Sequence, residues 1–384
     1  LHCGIKRRKP DLGWIVADEP CVAAGVYTQN RVHAPCVDLT RAAIQRASRL
    51  QAVVCNSGNA NVCTPRAATD AAEIQARAAA LLGIPAGLVA VAQTGVIGEP
   101  LPMDAVRQGL ARLPAVTSRE GGDAFAEAIL TTDTHAKQWG AECVLEEGCV
   151  VRIGAAAKGS GMIHPQMATM LAFITTDAAV EPGALQALLR EATERTFNAI
   201  TVDGDTSTND MVIALASGRV APGGTALAPG RSGWDRFAGA FEAVCDRLAR
   251  AIAADGEGAT RMITVVVEGA PDEAAARQVA RTVAGSPLVK TAVHGADANW
   301  GRILAAVGRS GLPVDPARVD IDLGPLAVCR GGLGVPYDEA EASAYLRGAE
   351  VEITIRLGMG EARARAYGCD LSPEYVRINA SYRT

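Results

Sequence analysis

The sequence predicts an α/β protein, and three observations carry that prediction. Short apolar runs rich in β-branched residues alternate with longer, Ala-rich segments carrying charges at intervals, the pattern of strands interleaved with helices. Hydrophobic residues make up 49% of the chain but aromatics only 4%, so the core has to be assembled from Ala, Val, Leu and Ile. Forty glycines imply many tight turns and close backbone approaches. A chain of 384 residues is long enough for two packed domains, or one large domain with a smaller companion.

The elements follow in order. Trp14–Val16, Cys21–Tyr27 and Ala52–Cys55 read as strands, and Ala67–Leu82 as a helix. Val89–Ala92 reads as a strand that runs into the turn Gln93-Thr94-Gly95. Met103–Leu113 and Gly122–Leu130 read as helices, Cys143–Ile153 as a strand, and Ala155–Gly161 as a loop of small residues. In the apolar stretch Met167–Asp177, Ile174-Thr175-Thr176 favours a strand. Gly183–Thr196 reads as a helix with Pro182 near its first turn. The polar loop Asp203–Asp210 leads into a strand at Val212–Ala216, and the linker Pro222–Gly233 into a long helix, Trp234–Ala253. The rhythm then changes. Met262–Glu268 reads as a strand, Asp272–Val283 as a helix, Leu288–His294 as a strand and Trp300–Val307 as a helix, with strands near Val319–Leu323 and Ala349–Ile355. This predicts a main domain over residues 1–280 and a smaller α/β domain over 281–384.

The bulk properties narrow the function classes. A formal charge of -5 provides no basic face for nucleic acid, and the run Lys6-Arg7-Arg8-Lys9 reads as a solvated turn. The ten cysteines form no C-x-x-C pair and have no histidine cluster beside them. No metal site is therefore expected, and the thiols read as small buried groups in a reducing cytosol. No apolar run is long enough to span a bilayer. No signal-peptide pattern is seen, and the thiols carry the expectation of a cytoplasmic location; the first residues read as interior sequence, so the native start is left open.

The segment Lys158–Met170 carries the most chemistry. Its Gly154–Ser160 approach is not a phosphate loop, because Lys158 precedes Gly159 where such a loop needs the lysine after its second glycine. What is left is a glycine-rich loop ending at Ala168-Thr169, before an apolar strand. A threonine hydroxyl is a weak nucleophile unless a base lies beside it. A threonine at a chain start has one in its own α-amine, which an internal threonine gains only if the preceding peptide bond is cut. On spacing alone, an ordinary turn into a buried strand is the favoured reading.

Gln93-Thr94-Gly95 offers a hydroxyl and a glycine N–H that could hold an oxyanion, or simply a strand-to-helix turn. Thr131-Thr132-Asp133-Thr134 and residues 196–210 could bind a polar amino acid, or could cap helices. Asp255-Gly256-Glu257-Gly258 puts carboxylates at a helix C-terminus, where the dipole disfavours them. Glu257 is thus placed for something other than helix stability. The tail Ile378–Thr384, with Asn379, is polar and of the kind that frays.

Together these segments resemble the ornithine acetyltransferase family, the bifunctional glutamate N-acetyltransferases of arginine biosynthesis. The resemblance is carried by Asn56–Asn61, Thr94–Gly98, Thr131–Thr134, Lys158–Asp177, Phe197–Asp210, Asn299–Arg309 and Cys369–Thr384. It implies a layered α-β-β-α sandwich of the self-processing, N-terminal-nucleophile type, with a smaller C-terminal α/β domain. It implies a cut between Ala168 and Thr169, giving an α chain (1–168) and a β chain (169–384) that assemble as an α2β2 heterotetramer. It implies a ping-pong reaction in which N-acetylornithine acetylates Thr169, ornithine leaves and glutamate takes the acetyl group. Thr94 and Gly95 match the family's oxyanion pair. Thr132, Lys158, Thr169, Glu257, Asn379 and Thr384 match its substrate-contacting positions. No bound cofactor or metal is implied; acetyl-CoA is a second donor for some members of the family and not for others.

Three rivals stand beside this reading. A self-cut threonine with an oxyanion hole also suits an aminopeptidase or amidohydrolase, with water as acceptor. A related acetyltransferase of a secondary pathway is another. A non-catalytic binding protein of the same fold is the third, although the intact Lys158–Thr169 segment is superfluous for binding alone.

Overall fold

A computed structural model of the chain describes residues 1–145, 148–164 and 170–381. The class is α/β, as the sequence predicts, with two sheets. The chain divides into two compact units. The first consists of residues 1–159, 166–197 and 206–248, the second of residues 160–165, 198–205 and 249–384.

The elements of the first stretch are β1 (Leu12–Tyr27), α1 (Pro35–Ala47), β2 (Arg49–Asn59), α2 (Ala67–Leu82), β3 (Val89–Val96), α3 (Met103–Val116), α4 (Gly122–Ala128), β4 (Lys137–Val144), β5 (Val150–Lys158), β6 (Leu171–Ala178), α5 (Pro182–Arg195), β7 (Met211–Val220) and α6 (Trp234–Ala254). Seven strands pair in the order β3-β2-β1-β7-β6-β5-β4. Strand β1 joins two halves of this sheet. Its start pairs with β2, and beyond an irregularity between Val16 and Cys21 its end pairs with β7. Strands commonly use such a bulge to bend and pass from one layer to the next. The two halves face each other here: Gly13–Val16 of β1 line one cavity with Gly154–Ala156 of β5 and Phe173 and Thr175 of β6. Phe125 of α4 meets Phe173 edge-on at 5.3 Å. The core is Val-, Ala- and Leu-rich, as a chain so poor in aromatics requires.

The second unit continues with β8 (Met262–Ala270), α7 (Glu273–Ala284), α8 (Pro287–His294), α9 (Trp300–Gly308), β9 (Asp320–Leu323), β10 (Leu326–Arg330), β11 (Leu333–Gly334), α10 (Glu339–Leu346), β12 (Glu350–Arg356), β13 (Ala362–Cys369) and α11 (Pro373–Ala380). Its sheet runs β11-β10-β9-β12-β8-β13, with β8 and β12 parallel. Helix α7 packs on β8 and β13 around its own aliphatic core. The Asp272 carboxylate caps α7 by accepting the Ala275 N–H.

Several elements differ from the sequence reading. Leu288–His294 is helix α8, not a strand. Val289, Thr291 and Val293 alternate like a strand, but Pro287 occupies the first helical turn and the buried set Val289, Lys290, Ala292 and Val293 has helical spacing. Cys143–Ile153 is not one strand: β4 ends at Val144 and β5 begins at Val150. Ala155–Lys158 is not loop but the end of β5, paired with Leu171–Ile174 of β6. Ladder pairing overrides the weak strand preference of three alanines there. The tail Pro373–Ala380 is helix α11, capped by Ser372.

Candidate active site

In the first unit, three features converge on the start of β6. The first is the end of β3. Gly95 has φ +134°, and a Cβ there would lie 2.2 Å from the Gly58 carbonyl carbon and 2.4 Å from the Asn59 nitrogen. Only glycine lets these parallel strands approach so closely while keeping that backbone angle. Thr94, just before it, is buried. A buried amide network lies underneath. Gln93 Nε2 donates to Asn56 Oδ1 at 2.8 Å, Asn61 Nδ2 donates to Gln93 Oε1 at 3.0 Å, and Asn56 Nδ2 donates to the Asn59 carbonyl at 2.9 Å.

The second feature is a buried charge cluster. Lys137 Nζ donates to Asp133 Oδ1 at 2.7 Å, and Lys158 Nζ lies 3.9 Å from Asp133 Oδ2. Lys158 Nζ donates to Thr131 Oγ1 at 2.7 Å, and the Gly159 N–H donates to Asp133 Oδ1 at 2.7 Å. Burial alone would raise the Asp133 carboxyl, but the Lys158 and Lys137 ammoniums together hold it well below the usual carboxylate range. Burial lowers the Lys158 ammonium below its ordinary value, with Asp133 opposing. Thr132 is half-buried between Thr131 and Asp133. Of the threonines of this stretch, Thr131 takes part in the charge cluster, whereas the Thr134 hydroxyl pairs with His135.

The third feature is the dipeptide Asn209-Asp210 just before β7, which sequence reasoning placed in a polar loop and in the 196–210 segment without a role of its own. Asn209 Nδ2 donates to the carbonyls of Gln93 at 2.9 Å and Ala60 at 2.7 Å. Asp210 Oδ1 accepts the Met170 N–H at 3.0 Å. One buried dipeptide thus ties the Thr94-Gly95 turn to the residue that precedes β6. Burial pushes the Asp210 carboxyl well above its usual range.

In the second unit, Glu257 is buried and its Oε2 accepts from Asn379 Nδ2 at 2.7 Å. Its backbone N–H donates to the Ser160 carbonyl at 3.0 Å. A Cβ on Gly161 would lie 2.3 Å from Glu257 Cδ, so the glycine is what lets this carboxylate reach its place. The carboxylate that a helix C-terminus disfavours is held instead by an amide from α11. Also in this unit, Asp203 accepts the N–H groups of Met162 at 2.6 Å and Ile163 at 2.8 Å. Met162 adopts φ +57°, a left-handed angle that costs a non-glycine residue on the order of 1 kcal/mol.

Thus Thr94, Gly95, Thr132 and Lys158 lie in the first unit, and Glu257 and Asn379 in the second. Ala168, Thr169 and Thr384 lie outside the described residues. Among the described residues no group of three His, Cys, Asp or Glu side chains could hold a metal ion, and no helix is long and apolar enough to cross a membrane. Of the ten cysteines, seven are buried and Cys63 is exposed.

A glycine-enforced threonine turn and a desolvated lysine held by a buried carboxylate, all in the first unit of an α/β frame, are groups of the kind that enzymes use. The family model described as the ArgJ family matches residues 1–384. The arginine biosynthesis bifunctional protein ArgJ of Symbiobacterium thermophilum is 55% identical over 377 residues, 98% of this chain and 93% of that protein. Its namesake from Halalkalibacterium halodurans is 48% identical over 386 residues, 100% of this chain and 93% of that protein. A crystal structure of arginine biosynthesis bifunctional protein argJ from Bacillus halodurans is similar with a TM-score of 0.52 at 47% identity, over 54% of this chain and 97% of that one. The chain belongs to the ArgJ family.

Proposed function

We propose that this chain transfers an acetyl group from N2-acetylornithine to glutamate, giving ornithine and N-acetylglutamate, through an acetyl ester on Thr169. The observation that carries this reading is the family match over the whole chain, whose relatives are named for arginine biosynthesis. The geometry agrees with it: Asn209-Asp210 ties the Thr94-Gly95 turn to Met170, the residue next to the nucleophile.

The nucleophile arises by self-cleavage between Ala168 and Thr169. The Bacillus halodurans structure's chain is matched over 97% of its length yet the match covers only 54% of this one, a share close to that of residues 169–384, which supports a two-chain product. The freed Thr169 α-amine takes the proton as Oγ attacks the acetyl carbonyl. Thr94 Oγ1 and the Gly95 N–H hold the oxyanion. The intermediate collapses with loss of ornithine, and the glutamate amine then attacks the ester. Lys158 receives the substrate α-carboxylate and Glu257 the distal ammonium of ornithine, with Thr132, Asn379 and Thr384 as further contacts. No bound cofactor takes part. The word bifunctional in the relatives' names fits a second acetyl donor, for which we propose acetyl-CoA. The cleaved chains are expected to assemble as an α2β2 heterotetramer in the cytoplasm.

The test is product analysis. Purified protein given N-acetylornithine and glutamate should yield ornithine and N-acetylglutamate in equal amounts. Free acetate in place of N-acetylglutamate would instead identify an amidohydrolase.

A further inference from the structure

The run Lys6-Arg7-Arg8-Lys9 reads from sequence as a solvated turn. Arg7, Arg8 and Lys9 are indeed exposed, but Lys6 is half-buried and turns inward. Its Nζ donates to the Leu130 carbonyl at 2.6 Å and to the Pro10 carbonyl at 2.8 Å. The backbone that carries it is itself held: the Asp11 carboxylate accepts the N–H groups of Cys3 at 2.6 Å, Ile5 at 2.8 Å and Lys6 at 2.9 Å. The Lys6 stem occupies the place that a side chain on Gly58 would need. A Cβ there, at φ +99°, would lie 2.8 Å from Lys6 Cγ. Burial lowers the Lys6 ammonium from its ordinary value to about 8, with the Asp11 carboxylate opposing and the Lys158 ammonium adding to the fall.

The Leu130 carbonyl belongs to the peptide unit whose N–H is that of Thr131. That N–H donates to Asp133 Oδ2 at 3.0 Å. One peptide plane is therefore held at its oxygen by a cation and at its nitrogen by an anion, and charge at each end strengthens both bonds. Thr131 also offers Oγ1 to Lys158 Nζ at 2.7 Å. The contacts thus run from Lys6 through a single peptide to Lys158, with every member in the first unit. We propose that Lys6 is a positioning residue for the carboxylate-receiving part of the site: by fixing the Leu130–Thr131 peptide it holds Thr131 and Asp133 where they orient Lys158, and so sets how strongly the substrate α-carboxylate is bound. This rests on the reading above that Lys158 receives that carboxylate. Lys6 acts through the peptide and need not touch the substrate.

The test measures, by calorimetry on the purified full chain, the affinities for ornithine and for putrescine, which is ornithine without its carboxylate. Neither probe carries an acetyl group, so binding is read apart from the reaction. The wild-type chain is expected to bind ornithine the more tightly. Lys6→Met keeps the stem against Gly58 and removes the donor, so it should cut that preference about tenfold, the worth of one hydrogen bond from a charged group, chiefly by weakening ornithine. A merely structural lysine would lower the melting temperature and leave the ratio of the two affinities as in wild type, which would overturn the proposal. Should Lys6→Met not fold, Lys6→Arg keeps the charge on a longer, planar head: a reduced preference supports the proposal, and a wild-type preference overturns it. A wild-type chain that binds both probes equally overturns the reading that Lys158 receives the carboxylate, and this one with it, whereas a preference that survives Lys6→Met overturns this one alone.

Discussion

Asn209 donates its side-chain N–H to the main-chain carbonyl of Gln93 at 2.9 Å, joining the start of β7 to the residue before Thr94. The same nitrogen reaches Ala60 at 2.7 Å, so two buried carbonyls depend on one amide. Asn209→Ala should destabilise the protein by about 2–3 kcal/mol, the cost of leaving buried acceptors unsatisfied. Because the Thr94-Gly95 turn loses its anchor, kcat should fall more than the folded fraction does. Denaturant melts and steady-state kinetics on the same samples separate the two effects.

Gly95→Ala should be far more damaging than an ordinary glycine substitution. The new Cβ would meet the Gly58–Asn59 backbone at 2.2–2.4 Å with φ at +134°, so the turn has to move. If that turn holds the oxyanion, kcat falls by about 100- to 1000-fold, and a thermal melt shows a loss of stability as well. Gly98→Ala is the control. It also has a positive φ but meets nothing within 4 Å, so its cost is the backbone strain alone.

Asp133 holds two lysines in a buried cluster. Asp133→Asn leaves the Lys137 and Lys158 ammoniums without their counter-charge and should cost about 3–5 kcal/mol. The pH dependence has a definite sign. The carboxyl of Asp133 is held below its usual range in the folded chain. Its stabilisation is therefore complete above the ordinary carboxylate range and is lost as pH falls through and below that range. The stability gap between wild type and Asp133→Asn should be widest near neutrality and narrow toward acid, as urea melts across pH would measure.

Glu257 and Asn379 form a pair at 2.7 Å within the second unit. Glu257→Gln keeps the pair's shape and removes its charge. If the carboxylate receives the distal ammonium of ornithine, KM for N-acetylornithine should rise about tenfold or more while self-cleavage proceeds normally. An unchanged KM would remove Glu257 from the substrate contacts.

The α/β class and most elements were legible because local pattern and tertiary environment agree. Ala67–Leu82 is helical in both, and Glu273–Ala284 begins one residue after its expected start because Asp272 serves as the cap. Reading failed where tertiary pairing overrides local preference. Ala155–Ala157 joins a ladder despite its composition, and Val289–Val293 coils despite its alternation. Within the candidate site, single-residue chemistry was legible: Thr94, Gly95, Lys158 and Glu257 each announce a hydroxyl, an N–H or a charge in an unusual place. The relations were not. That Asn209 would reach Gln93, 116 residues away, or that Lys137 would share Asp133 with Lys158, depends on strand order that no local pattern encodes. The signal that could have pointed to Asn209-Asp210 is its position, two polar residues directly before a fully apolar strand start.

The most direct test of the central claim is a denaturing gel of the purified protein, with amino-terminal sequencing of each band. Two bands are expected, the larger beginning Thr169-Met170-Leu171-Ala172 and the two together accounting for the whole chain. A single uncut band from an enzyme preparation that still transfers acetyl groups would contradict the Thr169 mechanism.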